Sequence, residues 1–522
     1  MALTKNFKRF LFNGFLLTAT SLAMRAIGVS FNAYISNEIG AEAMGLFTLI
    51  STVYGFAITL ATSAVGFATT RIVSGVLGND SDAITDKLCT RTKSVRAVVK
   101  KSVLYALSFS ILSSAILYFG TDFIGSRILC DIRTVSSLKL LAITLIPLSV
   151  SSALGGYFTA VRRVYKNAAT QISAQLIRIF VCMALINRFF AFDVESSCVC
   201  IVIGGVVSEL LSFFLTLIFY LVERKESGNI DKGESKALSK SLRSTALPMA
   251  FSAYLRSALL TIEHILIPKG LEKSGATRER SLAAYGTVQS MVFPIVFFPS
   301  AILSSFASLL IPEVARANNN AKDKRVVSII NNVFDTALTY AIGTAGIMMF
   351  FAFELGDVIY PTTDAGKYIR MIAPLIPVMY LDTATDALLK GLGEQVYTMG
   401  INIVDSFLSV VLVIILLPRF GIVGYIITVY FTELVNATLS ITRLLSISDT
   451  RPSVKSVVLK PLFCVILSAY ISKFISNIFS FCFISSAFSL IFNITVTASI
   501  YVALVIFTKG IKISKKSKKL LK

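Results

Sequence analysis

The chain has 522 residues, 55% of them hydrophobic, and a mean hydropathy of +0.76. That apolar surplus excludes a soluble globular protein and indicates a polytopic membrane protein. The formal charge of +21, from 50 Lys and Arg against 29 Asp and Glu, fits basic loops beside anionic lipid, with no nucleic-acid partner.

The first span, residues 11–36, is long enough to cross a bilayer with some tilt. Lys5, Lys8 and Arg9 precede it and small residues follow at Thr20–Ala23, as in a signal peptide. The apolar run continues past that point, so an uncleaved span is expected. Helical spacing puts Gly14, Thr18, Ser21, Arg25, Gly28 and Asn32 on one face. A charge at mid-depth costs at least about 2.5–3.5 kcal/mol. Arg25 must therefore face protein or water. One reading is a packing face with Arg25 paired to a carboxylate; the other is a substrate-facing arginine in a transport cavity.

Apolar windows place the spans at 11–36, 45–70, 102–119, 135–161, 168–187, 197–222, 245–268, 283–312, 327–353, 366–389, 396–417, 421–442, 456–478 and 482–508. This predicts an all-α fold of about 14 transmembrane helices. The hydrophilic stretches between them are too short for a catalytic domain, which needs at least about 50 residues. With the N-terminus inside, loops on the cytoplasmic side carry 35 of the 50 Lys and Arg and those on the other side 10. Both termini are thus expected in the cytoplasm, with 509–522 a basic, lipid-facing tail.

A parallel repeat is visible. Ser21-Leu-Ala-Met-Arg25-Ala in span one matches Ser252-Ala-Tyr-Leu-Arg256-Ser in span seven, and Gly66-Phe67-Ala68 matches Ser305-Phe306-Ala307. The predicted organisation is two six-helix lobes, 1–222 and 245–445, a linker at 223–244, and two added spans within 446–508.

Span seven places Ser252, Arg256 and Glu263 on one face, with His264, the only histidine, turned about 100° away. Intramembrane acids gather later, at Asp335, Asp382, Asp386, Asp405 and Glu433. They read either as counter-charges near span ends or as a proton or sodium site. Asp382, Asp386 and Lys390 stand at helical ion-pair spacing. Pro294 and Pro299 interrupt span eight, and Pro374 and Pro377 span ten, permitting bends. Seven scattered cysteines, with a lone CxC at Cys198 and Cys200, read as free apolar thiols. No metal site, cofactor, Walker loop or catalytic triad is expected.

Three stretches carry a resemblance: FLFNGFLLTATSLAMRAIGVSFNAYISNEIGAEAMGLF, GFATTRIVSG and AAYGTVQSMVFPIVFFPSAILSSFASLLIPEVARA. They resemble the polysaccharide-biosynthesis branch of the multidrug/oligosaccharidyl-lipid/polysaccharide exporter superfamily. The resemblance implies a V-shaped, two-lobed fold whose lobes open alternately to either side. It implies substrates that are polyprenyl-pyrophosphate-linked sugars, and a C-terminal span pair lining a groove for the lipid tail. In related lipid II flippases a cavity arginine matches Arg25, while two others fall at Phe31 and near Ala57, which are not basic.

The expected function is a flippase for a lipid-linked peptidoglycan or polysaccharide precursor, spore cortex included. It would be a monomer in the bacterial cytoplasmic membrane, with membrane lipids and the lipid-linked sugar as partners. Arg25 and Arg256 would grip the pyrophosphate, since guanidinium pairs bidentately with phosphate oxygens. Ser21, Asn32, Ser252 and Gln289 would stand beside them. Glu263, Asp335, Asp382, Asp386 and Asp405 are the candidates for coupling to a proton or sodium gradient, or to the membrane potential. The alternative is a cation-coupled multidrug antiporter, which favours an acid in the first span; none lies between Leu11 and Ser36. A membrane glycosyltransferase or polymerase would want catalytic groups in larger external loops.

Overall fold

The computed structural model describes residues 2–78, 86–161, 163–189, 193–223, 232–305, 314, 324–360, 364–448, 458–479 and 486–509. Of Ser21 it describes the backbone only. The basic tail, residues 224–231 of the linker, and Phe306 and Ala307 of the repeat lie outside the described residues.

The described residues are helical, with no strand among them. The first half comprises α1 (Ala2–Thr62), α2 (Val65–Gly78), α3 (Asp86–Phe123), α4 (Thr134–Ala160), α5 (Val164–Phe189), α6 (Val194–Glu223), α7 (Lys232–Lys273) and α8 (Arg278–Gly286). A π-helical turn (Thr287–Val292) leads into α9 (Phe293–Phe297). Then come α10 (Lys324–Phe350), α11 (Ala352–Ile359), α12 (Ala365–Ile372), α13 (Ile376–Gly391), α14 (Gln395–Ser448), α15 (Lys460–Phe479) and α16 (Ser486–Lys509).

Ten stretches among the described residues are long and apolar enough to span a membrane. Two of them, Leu22–Val76 and Gln395–Ser448, are 55 and 54 residues long; the first takes in the end of span one and all of span two, the second spans eleven and twelve. Their interior glycines, Gly40 at φ 81° and Gly421 at φ 57°, sit in the left-handed region, where a Cβ is strained. These glycines are the turns between spans one and two and between spans eleven and twelve. Span eight is broken into α8, the π turn and α9, and Ala373–Leu375 is a 3₁₀ turn before α13, at the predicted prolines. Helix α7 begins at Lys232, inside the predicted linker.

Contacts divide the chain into two compact units. The first is Met1–Glu38, Thr287–Asp405 and Ile422–Lys522; the second is Ile39–Gly286 and Ser406–Gly421. The grouping differs from the six-plus-six division of the sequence. Span one packs with helices of the second half and span seven with those of the first, and the chain changes unit beside Gly40 and at Gly421. The repeat reflects chain order, whereas the contact units reflect which helices touch.

In the second unit, Val65, Ala68, Tyr105, Ala106, Ala153, Leu242 and Ala246 form a buried cluster. Small residues let its backbones approach: a Cβ on Gly156 would strike the Gly66 carbonyl, and Thr70 Oγ1 donates to the Gly156 carbonyl at 3.0 Å. Outside the spans, Arg133 binds Asp131 at 2.9 Å and Glu42 at 3.0 Å, and the Asp131 hydrogen bonds raise its pKa above the usual arginine value. In the first unit, α15 and α16 pack together and onto α10. Gly343 faces Tyr501 and Gly346 faces Val465, and Tyr501 Oη donates to the Thr339 carbonyl at 2.6 Å. Exposed Phe463, Phe474, Phe488 and Phe507 leave that helix pair an apolar outer surface suited to lipid.

Gly156→Ala should destabilise the fold by about 1–3 kcal/mol through overpacking. The neighbouring Gly155→Ala, whose Cβ would meet only the Asn167 side chain at ordinary distance, should be near neutral. Thermal unfolding in detergent checks the pair, and equal midpoints for the two variants would contradict the close crossing.

Candidate functional site

Two helix breaks organise the polar groups, one in each unit. In the first unit the break is in span eight. A π turn precedes α9, and Pro294 and Pro299 remove backbone donors. Phe298 N–H bonds the Ile295 carbonyl, a tighter turn than α-helical. Three carbonyls at the break take side-chain donors. Tyr380 Oη donates to Val296 at 2.7 Å, Arg25 Nη1 to Phe297 at 2.6 Å, and Tyr340 Oη to Pro299 at 2.8 Å. The Tyr340 and Tyr380 rings stack, 6.2 Å between centroids. Arg25 Nη1 also donates to Ser300 Oγ at 2.8 Å.

Arg25 is therefore held by a carbonyl and a hydroxyl. The carboxylate partner expected on a packing face is not found among the described residues, and neither is a partner for Nε or Nη2. Asn32 is half-buried two helical turns further along the same helix. Gln289 lies in the π turn and donates from Nε2 to Tyr425 Oη. A single π turn inside an α-helix is a recurrent mark of functional sites.

In the second unit the break is in span two. Ser63 and Ala64 take φ of 44° and 56°, strained for residues with a Cβ. Ser63 Oγ meets Tyr105 Oη at 2.9 Å and accepts from Tyr254 Oη at 2.6 Å. Thr59 Oγ1 donates to Ser257 Oγ at 3.2 Å. Tyr254 and Ser257 flank Arg256 on α7. Arg256 is exposed and has no hydrogen bond or ion pair among the described residues. Ser252 Oγ leans back to the Pro248 carbonyl at 3.5 Å.

The acids separate into distinct settings. Glu263 is buried in the second unit and accepts from Ser409 Oγ at 2.6 Å, while its neighbour His264 bonds Tyr285 Oη through Nδ1 at 2.9 Å. In the first unit Asp382, Asp386, Asp405 and Glu433 form one electrostatic group, since the other three carboxylates all act on Glu433. Asp382 accepts from Asn436 Nδ2 at 3.2 Å through Oδ2, and its Oδ1 is buried. The buried Ser440 hydroxyl lies beside it as a hydrogen-bonding neighbour of the carboxylate. Lys390 pairs with Asp386 at 3.2 Å, as the spacing predicts. Asp335 is on α10 and is not among the charges acting on Asp382 or Glu433. No group of three or more His, Cys, Asp or Glu among the described residues is disposed to hold a metal ion.

Glu433 was legible as an intramembrane acid; its place in the group needed the packing of α13 on α14. Glu209, on α6, escaped attention because it is the one carboxylate in a long apolar run. It faces a cavity inside the second unit, together with Arg178. Among the described cysteines, Cys182, Cys198, Cys200 and Cys464 are buried free thiols, whereas Cys130 is exposed at a left-handed φ of 55°, not in an apolar setting as expected.

Residues 10–317 match the family model described as polysaccharide biosynthesis protein, and residues 275–415 match the one described as MatE. Stage V sporulation protein B of Bacillus subtilis is 24% identical over 521 residues, covering 96% of each chain. Sporulation protein YkvU of the same organism is 22% identical over 49% of this chain and 58% of its own. Among solved structures, lipid II flippase MurJ in an inward closed conformation superposes with a TM-score of 0.66 at 12% identity, over 94% of this chain and 98% of that one. An inward-facing multidrug resistance MATE family transporter of the MOP superfamily gives 0.65 at 12% identity, over 82% and 98%. At such identity these structures establish the fold.

If the tyrosines satisfy the broken span, Tyr380→Phe and Tyr340→Phe should each cost about 1–2 kcal/mol, because a buried carbonyl loses its donor. The double variant should be non-additive, since the rings stack. Unfolding midpoints in detergent test this; a Tyr380→Phe protein as stable as the parent would refute it.

Proposed function

The chain belongs to the polysaccharide biosynthesis protein family, a multi-pass membrane transporter of the MOP superfamily, and from that premise we propose that it flips a polyprenyl-pyrophosphate-linked sugar. The cargo would be a peptidoglycan or polysaccharide precursor, and the membrane the bacterial cytoplasmic membrane with both termini inside. The likeness to a sporulation protein makes the spore envelope one destination. The work is movement by alternating access, with no covalent bond made or broken. We take the moving bodies to be the lobes 1–222 and 245–445 suggested by the repeat.

One observation carries the phosphate reading. Arg25 and Arg256 are intramembrane guanidinium groups, and among the described residues neither is neutralised by a carboxylate. A cation in that setting calls for an anion or water. Two phosphate groups supply oxygens that a planar fork grips bidentately. Arg25 is already oriented through Nη1, which leaves Nε and Nη2 for a ligand. Ser21, Asn32, Ser252 and Gln289 offer neutral hydrogen bonds to the sugar or phosphate.

The group of Asp382, Asp386, Asp405 and Glu433 supports coupling to a proton or sodium gradient, with Glu263 and Asp335 as further candidates. Its Asp382 carboxylate is buried, with the Ser440 hydroxyl and the Asn436 amide beside it. The second reading, a cation-coupled drug antiporter, draws on the MatE match. It would put acids where this first span has arginine.

Flipping of a labelled lipid-linked sugar by purified protein in vesicles tests the proposal. Arg256→Ala should slow flipping roughly tenfold or more, the worth of one charged hydrogen bond, with an unchanged unfolding midpoint. Arg25→Lys should fall between parent and Arg25→Ala, because ammonium keeps the charge and loses the fork. Asp382→Asn should remove the response to an imposed ion gradient. Full activity in both alanine variants, or cation export in place of flipping, would overturn the reading.

A further inference from the structure

The second unit holds a partly open cavity of about 140 Å³ between the second limb of α1 and helices α4, α5 and α6, its mainly apolar wall carrying a few polar side chains. Its lining includes none of the residues assigned to substrate or coupling above, and the inference drawn from it does not depend on the cargo. Ser51, Tyr54, Thr144 and Ser208 supply hydroxyls, and Arg178 and Glu209 supply one charge of each sign. Tyr54 Oη and Thr144 Oγ1 are 2.6 Å apart. The volume is too small for a lipid-linked sugar and large enough for several waters.

Glu209 and Arg178 act on each other electrostatically, and both act on Tyr54. The Glu209 carboxylate makes no direct hydrogen bond or ion pair among the described residues. A carboxylate at membrane depth in a cavity of that size has room to take water as a hydrogen-bonding partner. The charged and titratable groups facing it are few. From α5 comes Arg178 and from α1 Tyr54, while α4 contributes the neutral Thr144 and α6 itself Ser208. Lys139 of α4 is engaged elsewhere, by Asp122 at 3.0 Å.

We propose that this cavity is a hydrated proton-binding site, in which Glu209 accepts the proton and Arg178 balances the carboxylate charge. The proton passes from water to a Glu209 oxygen and returns to water. Uptake takes the cavity from neutral to a single positive charge on Arg178. Arg178 acts as a positioning residue, its guanidinium sharing the cavity with the carboxylate.

Dicyclohexylcarbodiimide, which modifies protonated carboxyl groups in apolar surroundings, tests this on the purified full-length protein in vesicles, with adducts located by peptide mass spectrometry across a pH series. An adduct on Glu209 is expected at acid pH and should fade as pH rises. Glu209→Gln should abolish that adduct and leave those on other carboxylates. Arg178→Gln should carry the labelling to at least tenfold lower proton concentration, while Arg178→Lys, which keeps the charge, stays near the parent profile. Should Arg178→Gln fail to fold, the parent profile and Glu209→Gln still decide the matter. Absence of a Glu209 adduct at every pH while other intramembrane carboxylates are labelled would overturn the proposal. So would labelling of Glu209 that does not change with pH, or identical profiles in folded Arg178→Gln and parent protein.

Discussion

A backbone carbonyl inside a bilayer must find a donor within the protein, because hydrocarbon offers none. Unbroken helices meet that demand internally. Span eight does not, since its prolines and π turn leave it broken. Tyr380, Arg25 and Tyr340 supply donors to Val296, Phe297 and Pro299 from three other helices. A charged side chain that is costly in the membrane is thereby held where the backbone needs it, with donors to spare.

The same logic recurs in the second unit. Span two breaks at Ser63 and Ala64, and Tyr105 and Tyr254 secure the Ser63 hydroxyl. Each break falls a few residues before the matched triplets at Gly66 and Ser305. In each case a residue from the first span of the other half attends it: Arg25 of span one at the break in span eight, Tyr254 of span seven at the break in span two. The contact units follow from this exchange. Span one sits with the second half and span seven with the first.

Charge is distributed unequally between the roles. Arg25 and Arg256 have no carboxylate partner among the described residues. Asp382, Asp386, Asp405 and Glu433 gather on α13 and α14, whereas Asp335 lies on α10 and Glu263 and Glu209 lie in the second unit.

The sequence alone determined the membrane class, the span positions, the interruptions at Pro294, Pro299, Pro374 and Pro377, and the Asp386–Lys390 pair. These depend on local composition and helical periodicity, which act within a few residues. It also carried the family, through motifs spread over much of the chain. Tertiary structure decided what Arg25 touches, since Phe297 and Ser300 are 272 and 275 residues away. It likewise decided that Asp382 meets Asn436 on α14, that Glu433 joins Asp386 and Asp405, and that Glu209 shares a cavity with Arg178. Helical spacing states which residues share a face, but the partner of that face is chosen by packing between distant spans. For an intramembrane charge that choice is the functional question, because the same guanidinium is a structural cap, a counter-ion or a ligand depending on what lies opposite.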